Sequence, residues 1–152
     1  MDRVAVALGS NLADRVAHLD HGVSRLRTFL RDLKVSRYHE YAPVAVPGPQ
    51  PFFLNAAAVG VTTGSPRALL DMLLAVERER GRERPHPGAA RTLDLDLILF
   101  ADVVLEEPGL VVPHPRFRER SFVLEPLAEV AADLVDPVTG LTVGQLLARV
   151  GL

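Results

Sequence analysis

At 152 residues, without cysteine and with a formal net charge of −2, the chain can bury a core without disulfide staples but lacks the broad basic surface of a general nucleic-acid binder. No run approaches the roughly 20 apolar residues of a membrane span, and Met1-Asp2-Arg3 does not open a secretory leader. A single cytoplasmic domain over residues 1–152, with no membrane and no nucleic-acid partner, is expected.

Residues 4–8 read as a short buried strand ending at Gly9-Ser10-Asn11, where glycine permits a tight turn and Ser or Asn can cap a helix. From 13 to about 33, Val16, Leu19, Val23, Leu26, Leu30 and Leu33 step by three and four, predicting an amphipathic helix with His18 and His21 facing solvent. Residues 35–42, with Tyr38 and Tyr41, predict a second strand. The proline-rich stretch 43–51 can be neither helix nor central strand. Residues 52–62 resume as a strand with Phe53, Asn55, Ala57, Val59 and Val61 on one face. Asn55 is the odd member there, able to cap a bulge beside the loop or to read the edge of a heterocycle. Ser65-Pro66 opens a second helix, an N-cap followed by proline in the first turn, with Ala68, Leu69, Met72, Leu73 and Val76 as its apolar stripe and its end near Gly81. Residues 81–90, rich in Arg, Pro and Gly, predict a mobile loop.

The stretch Arg91-Thr92-Leu93-Asp94-Leu95-Asp96-Leu97-Ile98-Leu99-Phe100 is an apolar run carrying two carboxylates. Strict alternation puts Leu93, Leu95, Leu97 and Leu99 on one face and Asp94, Asp96, Ile98 and Phe100 on the other. Acids two apart on a strand lie on one side, about 6.6 Å apart at the backbone, close enough to share hard cations such as Mg2+. The competing reading is a solvated edge strand whose acids serve solubility. Beyond it, 103–105 and 110–112 flank a Glu107-Pro108-Gly109 turn, residues 117–130 predict helix in two pieces broken at Pro126, and 142–150 predict a last short helix. Strand, helix, strand, strand, helix, strand is the α+β, ferredoxin-like βαββαβ order. It predicts a four-stranded antiparallel sheet with both helices on one face, decorated by a C-terminal hairpin and short helices.

No phosphate-cradling glycine loop and no nucleophile elbow is present. Of 17 basic residues only Lys34 is lysine, and arginines cluster at Arg78, Arg80, Arg82, Arg84 and Arg91 and again at Arg116, Arg118 and Arg120. Guanidinium groups grip phosphate oxygens in pairs, so arginines on either side of an acidic pair point to a metal-bound polyphosphate. His114, between Pro113 and Pro115, is a candidate phosphate or nucleotide contact or a structural histidine.

Ala7-Leu8-Gly9-Ser10-Asn11-Leu12, Phe53-Leu54-Asn55-Ala56, Arg91-Thr92-Leu93-Asp94-Leu95-Asp96-Leu97-Ile98, Pro113-His114-Pro115-Arg116 and Arg120-Ser121-Phe122-Val123-Leu124-Glu125-Pro126-Leu127 together resemble the 6-hydroxymethyl-7,8-dihydropterin pyrophosphokinases, in family order. The resemblance implies transfer of pyrophosphate from MgATP to the pterin hydroxymethyl group, with release of AMP, in folate synthesis. It implies two Mg2+ ions arriving with ATP on Asp94 and Asp96, and catalytic roles for these acids with Arg82 and Arg91. Pro43, Val44, Ala45, Phe53, Asn55 and Phe122 then hold the pterin, Phe53 and Phe122 as its aromatic sandwich. Arg82, Arg84, Arg91, Ile98, His114 and Arg120 hold ATP, and a monomer is expected. The chain departs from the family where Phe53 replaces a frequent Tyr, where Gly88-Ala89-Ala90 replaces a Trp-Gly-Pro, and where Gly109 and Val111 stand in place of Arg and Thr. The alternatives are a ferredoxin-like module that binds a small molecule without chemistry and a two-metal nucleotidyltransferase, the latter disfavoured by the absence of a basic template channel.

Overall fold

The structure, a computed structural model, describes residues 1–42, 52–81 and 92–150. Its elements are β1 (Asp2–Ser10), α1 (Arg15–Phe29), β2 (Arg31–Val35), β3 (His39–Tyr41), β4 (Phe53–Thr62), α2 (Pro66–Glu79), β5 (Asp94–Phe100), β6 (Leu105–Glu107), β7 (Leu110–Val112), a 3-10 turn (Phe117–Glu119), α3 (Ser121–Ala131) and α4 (Val143–Val150). The main sheet runs β2-β4-β1-β5 with every pair antiparallel, and β3 continues the outer edge along the start of β4. This is the ferredoxin-like order expected from the sequence, with the edge strand in two pieces.

Both faces of the sheet are covered. Val4, Val6, Leu8, Leu54, Ala56 and Ala58 pack against Leu19 and Leu26 of α1 and Leu69, Leu73 and Val76 of α2. Ala5, Ala7, Ala57 and Val59 pack against Val123, Leu124 and Leu127 of α3 and Val143 and Leu146 of α4. The C-terminal segments are thus a second helical layer rather than decoration, which is why β1 and β4 are apolar at nearly every position. Asp14 and Ser65 cap α1 and α2 by accepting from the backbone N–H groups of Ala17 and Ala68, both at 3.1 Å, each cap contributing about 1 kcal/mol. Thr142 and Gln145 form a reciprocal capping box at α4.

Several expectations are corrected. The first helix ends at Phe29 and not near residue 33. Leu30 is extended, and Arg31 starts a strand whose register shifts before Lys34, with Asp32 in the left-handed region at φ 52°. Leu30 and Leu33 continue the helical period by coincidence, one buried under the sheet and one half-buried from the strand. Val16 is exposed, whereas His18 is buried and its Nδ1 accepts from Arg80 Nε at 2.9 Å. In α2 the buried stripe is Leu69, Leu73, Val76 and Glu77, while Ala68 and Met72 face solvent. The break before α3 falls at Arg120, and Pro126 sits buried inside the helix. In the hairpin the second strand falls at 110–112 as expected, but the first lies two residues later, at Leu105–Glu107, so the turn tightens to Pro108-Gly109, with Gly109 at φ 76°. Finally, β5 does not alternate to its end. Ala5 pairs with Leu99 but Val6 with Leu97, so Ile98 is the extra residue of a bulge. Phe100 therefore packs on the α1 and α2 side and Leu99 on the α3 side, the reverse of strict alternation.

The C-terminal layer is locked by Asp136. Fully buried, it accepts from Arg118 Nε at 2.5 Å and Nη2 at 3.0 Å, from the Thr139 hydroxyl at 2.7 Å and from Val138 N–H at 3.1 Å.

Candidate active site

Strand register builds the floor of the site. Antiparallel pairing aligns His39 with Asn55, Asn55 with Gly9 and Gly9 with Asp94, so one row crosses four strands on the α3 side. The next row on that side is Ala57, Ala7 and Asp96. With strands about 4.8 Å apart, Asn55 and Asp94 stand roughly 10 Å from each other, with only Gly9 and Ala7 between them. Gly9 lies within β1 and makes no turn, contrary to expectation. Its use is steric: a β-carbon there would stand 2.7 Å from Asn55 Oδ1. The missing side chain lets the Asn55 amide lie over the strand.

Above this floor is a cavity of about 200 Å³. Phe53, Tyr41 and Phe122 supply aromatic walls, Asn55 one polar end, and Asp94 and Asp96 the other. Phe122 comes from the first turn of α3, which begins directly after Arg120. The Arg120 guanidinium carbon lies 5.6 Å from the Phe122 ring centre, and Tyr41 meets the same ring edge-on at 6.2 Å. Tyr41 pairs with Phe53 across β3 and β4, which brings both rings to one side.

A second cavity, of about 320 Å³, lies against α2 and the loop after β7. Leu70, Leu74 and Glu77 of α2, Gly109 and Val111 of the hairpin, and His114 line it, together with the same Asp94 and Asp96. The acid pair is the wall common to both cavities. Burial pushes the His114 imidazole below its ordinary value, the Arg120 charge adds to this, Asp94 opposes it and Arg116 adds again. A neutral ring results, and its Nδ1 accepts the Arg116 N–H at 3.2 Å, leaving the proton on Nε2. The His114 backbone N–H donates to the Ile98 carbonyl at 2.9 Å, hanging this loop on the bulge of β5.

Of the residues singled out from sequence, Phe53, Asn55, Phe122, Asp94 and Asp96 converge on the first cavity, and His114 joins the acids at the second. Arg120, expected at nucleotide phosphates, lines the first cavity. The Ile98 side chain reaches neither; it is buried in the core on the α3 side, and only its carbonyl serves the site, through His114. Pro43, Val44, Ala45, Arg82, Arg84 and Arg91 lie outside the described residues.

Sequence reading missed Tyr41, Gly9 and Glu77. Glu77 is 2 % exposed, and its Oε2 accepts the Leu95 N–H at 2.7 Å, tying α2 to β5 between the two acids. Its signal was present: Leu69, Leu73 and Glu77 step by four, so a carboxylate stands on the buried stripe. Tyr41 carried only its place next to a proline-rich stretch.

The acids fit a hard cation. Among the described residues no group of three or more His, Cys, Asp or Glu gathers at one point. Magnesium binds through one or two carboxylates with the other positions left to phosphate oxygens and water.

A family model described as 7,8-dihydro-6-hydroxymethylpterin-pyrophosphokinase matches residues 5–132. A 2-amino-4-hydroxy-6-hydroxymethyldihydropteridine pyrophosphokinase of Synechocystis sp. is 40% identical over 146 residues, covering 95% of this chain and 74% of the relative. One of Pseudomonas aeruginosa is 41% identical over 136 residues, covering 88% and 83%. Among solved structures, wild-type HPPK-DHPS of Plasmodium falciparum with pteroate superposes with a TM-score of 0.78 over 97% of this chain at 12% identity, a likeness of fold. This chain spans 44% of that longer one.

Proposed function

The chain belongs to the 7,8-dihydro-6-hydroxymethylpterin-pyrophosphokinase family, and from that premise we propose how its residues divide the work. The reaction is that of the family, an ATP-dependent pyrophosphate transfer in folate synthesis. The observation that carries the assignment of roles is the pair Asp94 and Asp96, shared by an aromatic cavity and a second cavity beside His114.

In this reading the flat bicyclic pterin enters the first cavity, between Phe53 and Phe122. Asn55 meets its polar edge, and the distance of roughly 10 Å across β1 sets the hydroxymethyl group beside the acids. Main-chain groups of Pro43, Val44 and Ala45 complete the pterin edge. ATP lies in the second cavity with its phosphates turned to the acids. His114 donates from Nε2 to a phosphate oxygen, and Arg120, Arg82, Arg84 and Arg91 balance the charge. The hydroxymethyl oxygen attacks the β-phosphorus, the bond from that phosphorus to the α–β bridging oxygen breaks, AMP leaves with that oxygen, and the hydroxyl proton passes to solvent water. Asp94 and Asp96 would hold two Mg2+ ions, which neutralise charge on the phosphate oxygens when bound. The protein's own part is mostly alignment: two sites facing each other across one pair of carboxylates place the reacting oxygen in line.

Residues 1–152 are taken as one functional domain, active as a monomer in the cytoplasm. No helix among the described residues is long and apolar enough to cross a membrane.

The test is incubation with MgATP and 6-hydroxymethyl-7,8-dihydropterin. AMP should appear in step with the pterin consumed. Asp96→Asn should lower the rate by roughly 10²–10³ with an unchanged circular dichroism spectrum. Release of ADP, or a folded Asp96→Asn variant with near-normal turnover, refutes the assignment.

A further inference from the structure

One guanidinium grips the residue that precedes each of two cavity aromatics. Arg15 is the first residue of α1. Its Nη2 donates to Glu40 Oε2 at 2.8 Å, and its Nη1 donates to the Phe52 carbonyl at 2.7 Å. Glu40 comes directly before Tyr41 and Phe52 directly before Phe53, and Tyr41 and Phe53 both line the cavity that holds Asn55. The grip is applied from the opposite face of the sheet. Tyr41 pairs with Phe53 on the α3 side, whereas Glu40 pairs with Leu54, which packs in the core under α1 and α2.

Three features separate this contact from an ordinary surface ion pair. A cation in the first turn of a helix opposes the helix dipole, which favours acids there, so Arg15 is not placed to stabilise α1. Its base is nonetheless firm, because Asp14 caps the helix through the Ala17 N–H and its carbonyl accepts the His18 N–H, both at 3.1 Å. The Arg15 side chain is 27 % exposed and that of Glu40 53 %, so the pair itself contributes little to stability. The other arm ends on main chain. Phe52 is 51 % exposed, and its side chain gives the start of β4 little anchorage. The charged bond to its carbonyl therefore steadies the backbone from which the Phe53 ring projects. A planar fork that reaches both acceptors at once ties β3 to the start of β4 beyond what their short ladder provides.

We infer that Arg15 is a positioning residue for the heterocycle cavity: through Glu40 and the Phe52 carbonyl it sets the placement of Tyr41 and Phe53 without touching the ligand. The inference rests on the pterin assignment of that cavity made above. A binding group must be held within about 0.5 Å of its productive place, and a wall gripped from behind meets that demand before the ligand arrives. Among the described residues, none that lines the second cavity comes from α1, β3 or β4, so a ligand there should not feel the loss of the grip.

The test compares the full chain with Arg15→Ala. The probe is oxidised 6-hydroxymethylpterin, followed by its own fluorescence, with Mg2+ and a non-hydrolysable ATP analogue present. Wild type should bind, and Arg15→Ala should bind about tenfold more weakly. Its affinity for the ATP analogue alone should stay within about twofold of wild type and its Tm within about 4 °C, the scale of an exposed ion pair. Glu40→Ala should also weaken pterin binding, and in an Arg15→Ala background it should cost almost nothing further. A merely structural role would lower Tm and both affinities together, and that outcome overturns the inference. Equal pterin affinity in wild type and Arg15→Ala, or a full loss from Glu40→Ala in the Arg15→Ala background, also overturns it and leaves the cavity assignment standing. Failure of wild type to bind the pterin overturns both. If Arg15→Ala loses its folded signal, Arg15→Lys, which keeps the charge without the planar fork, is judged by the same criteria.

Discussion

Replacing Gly9 by alanine should damage the site while sparing the fold. The new methyl would stand 2.7 Å from Asn55 Oδ1, against a carbon to oxygen contact of about 3.3 Å. The Asn55 amide must move by roughly 0.6 Å or swing to another rotamer, beyond the approximately 0.5 Å within which a binding group must be held. Backbone strain is not added, because Gly9 is not among the residues with positive φ, and the gain in strand stability of alanine over glycine, about 0.5–1 kcal/mol, offsets part of the clash. Losing the Asn55 contacts to the ring and leaving their partners unpaired costs about 1–3 kcal/mol, or roughly 5- to 150-fold in pterin affinity. The assay is the fluorescence titration with the pterin and ATP analogue, with Tm measured in parallel. The decisive comparison is a double-mutant cycle, since two residues in contact should not be additive. In an Asn55→Ala background, Gly9→Ala should cost almost nothing further. A full loss from Gly9→Ala in that background would show that the methyl acts by another route and would refute the steric argument.

Asp136→Asn should lower Tm by roughly 6–20 °C, since breaking a buried pair costs about 3–5 kcal/mol and each kcal/mol moves Tm by about 2–4 °C at this size. Burial pushes the Asp136 carboxyl up, but its bonds from Arg118, Thr139 and the Val138 N–H outweigh that and hold it below the usual carboxylate range. Its stabilisation is therefore complete above the unfolded value of about 3.9 and is lost as pH falls through the folded one. The variant should show a flatter acid limb below about pH 4, and an unchanged acid slope would remove Asp136 from the account. His18 is held below its ordinary value by burial first and by the Arg80 charge second, against a smaller pull from Asp14. Its share of stability is full above about pH 6.5 and declines as pH falls from there toward the folded value, because the unfolded chain takes up the proton first. His18→Gln, which keeps an acceptor for Arg80, should flatten the dependence of Tm on pH between 7 and 5; equal slopes would refute the buried neutral histidine.

What could be read from the chain depended on whether the information was local. Ser65-Pro66 announced α2 because capping is settled within a turn, and the acid pair announced itself because two carboxylates in an apolar run are costly without a purpose. Phe53, Asn55, Phe122 and His114 were legible through motifs. The end of α1 was not, because Leu30 and Leu33 satisfy both a helical period and a strand packed under it. The bulge at Ile98 leaves no mark in the residue pattern, since leucine and phenylalanine suit either side of a sheet covered on both. Gly9 was read as a turn residue, whereas its value lies in what stands opposite it 46 positions later, at Asn55, which only strand register shows. Tyr41 was hidden for the same reason: the contacts that make it part of the site come from α3.

The bulge in β5 also bears on how the molecule behaves among its own copies. β5 is the outermost strand of the sheet, and an exposed strand edge is a template on which another chain can assemble. Here the outward Leu95 N–H is occupied by Glu77 and the carbonyl of Ile98 by His114, and Ile98, as the extra residue of the bulge, disrupts the ladder. A foreign strand would have to displace a buried carboxylate, unseat a loop and approach two acids at once. The side chains that equip this strand for chemistry thus also guard it against aggregation, and loosening them to tune activity should be expected to reduce solubility as well.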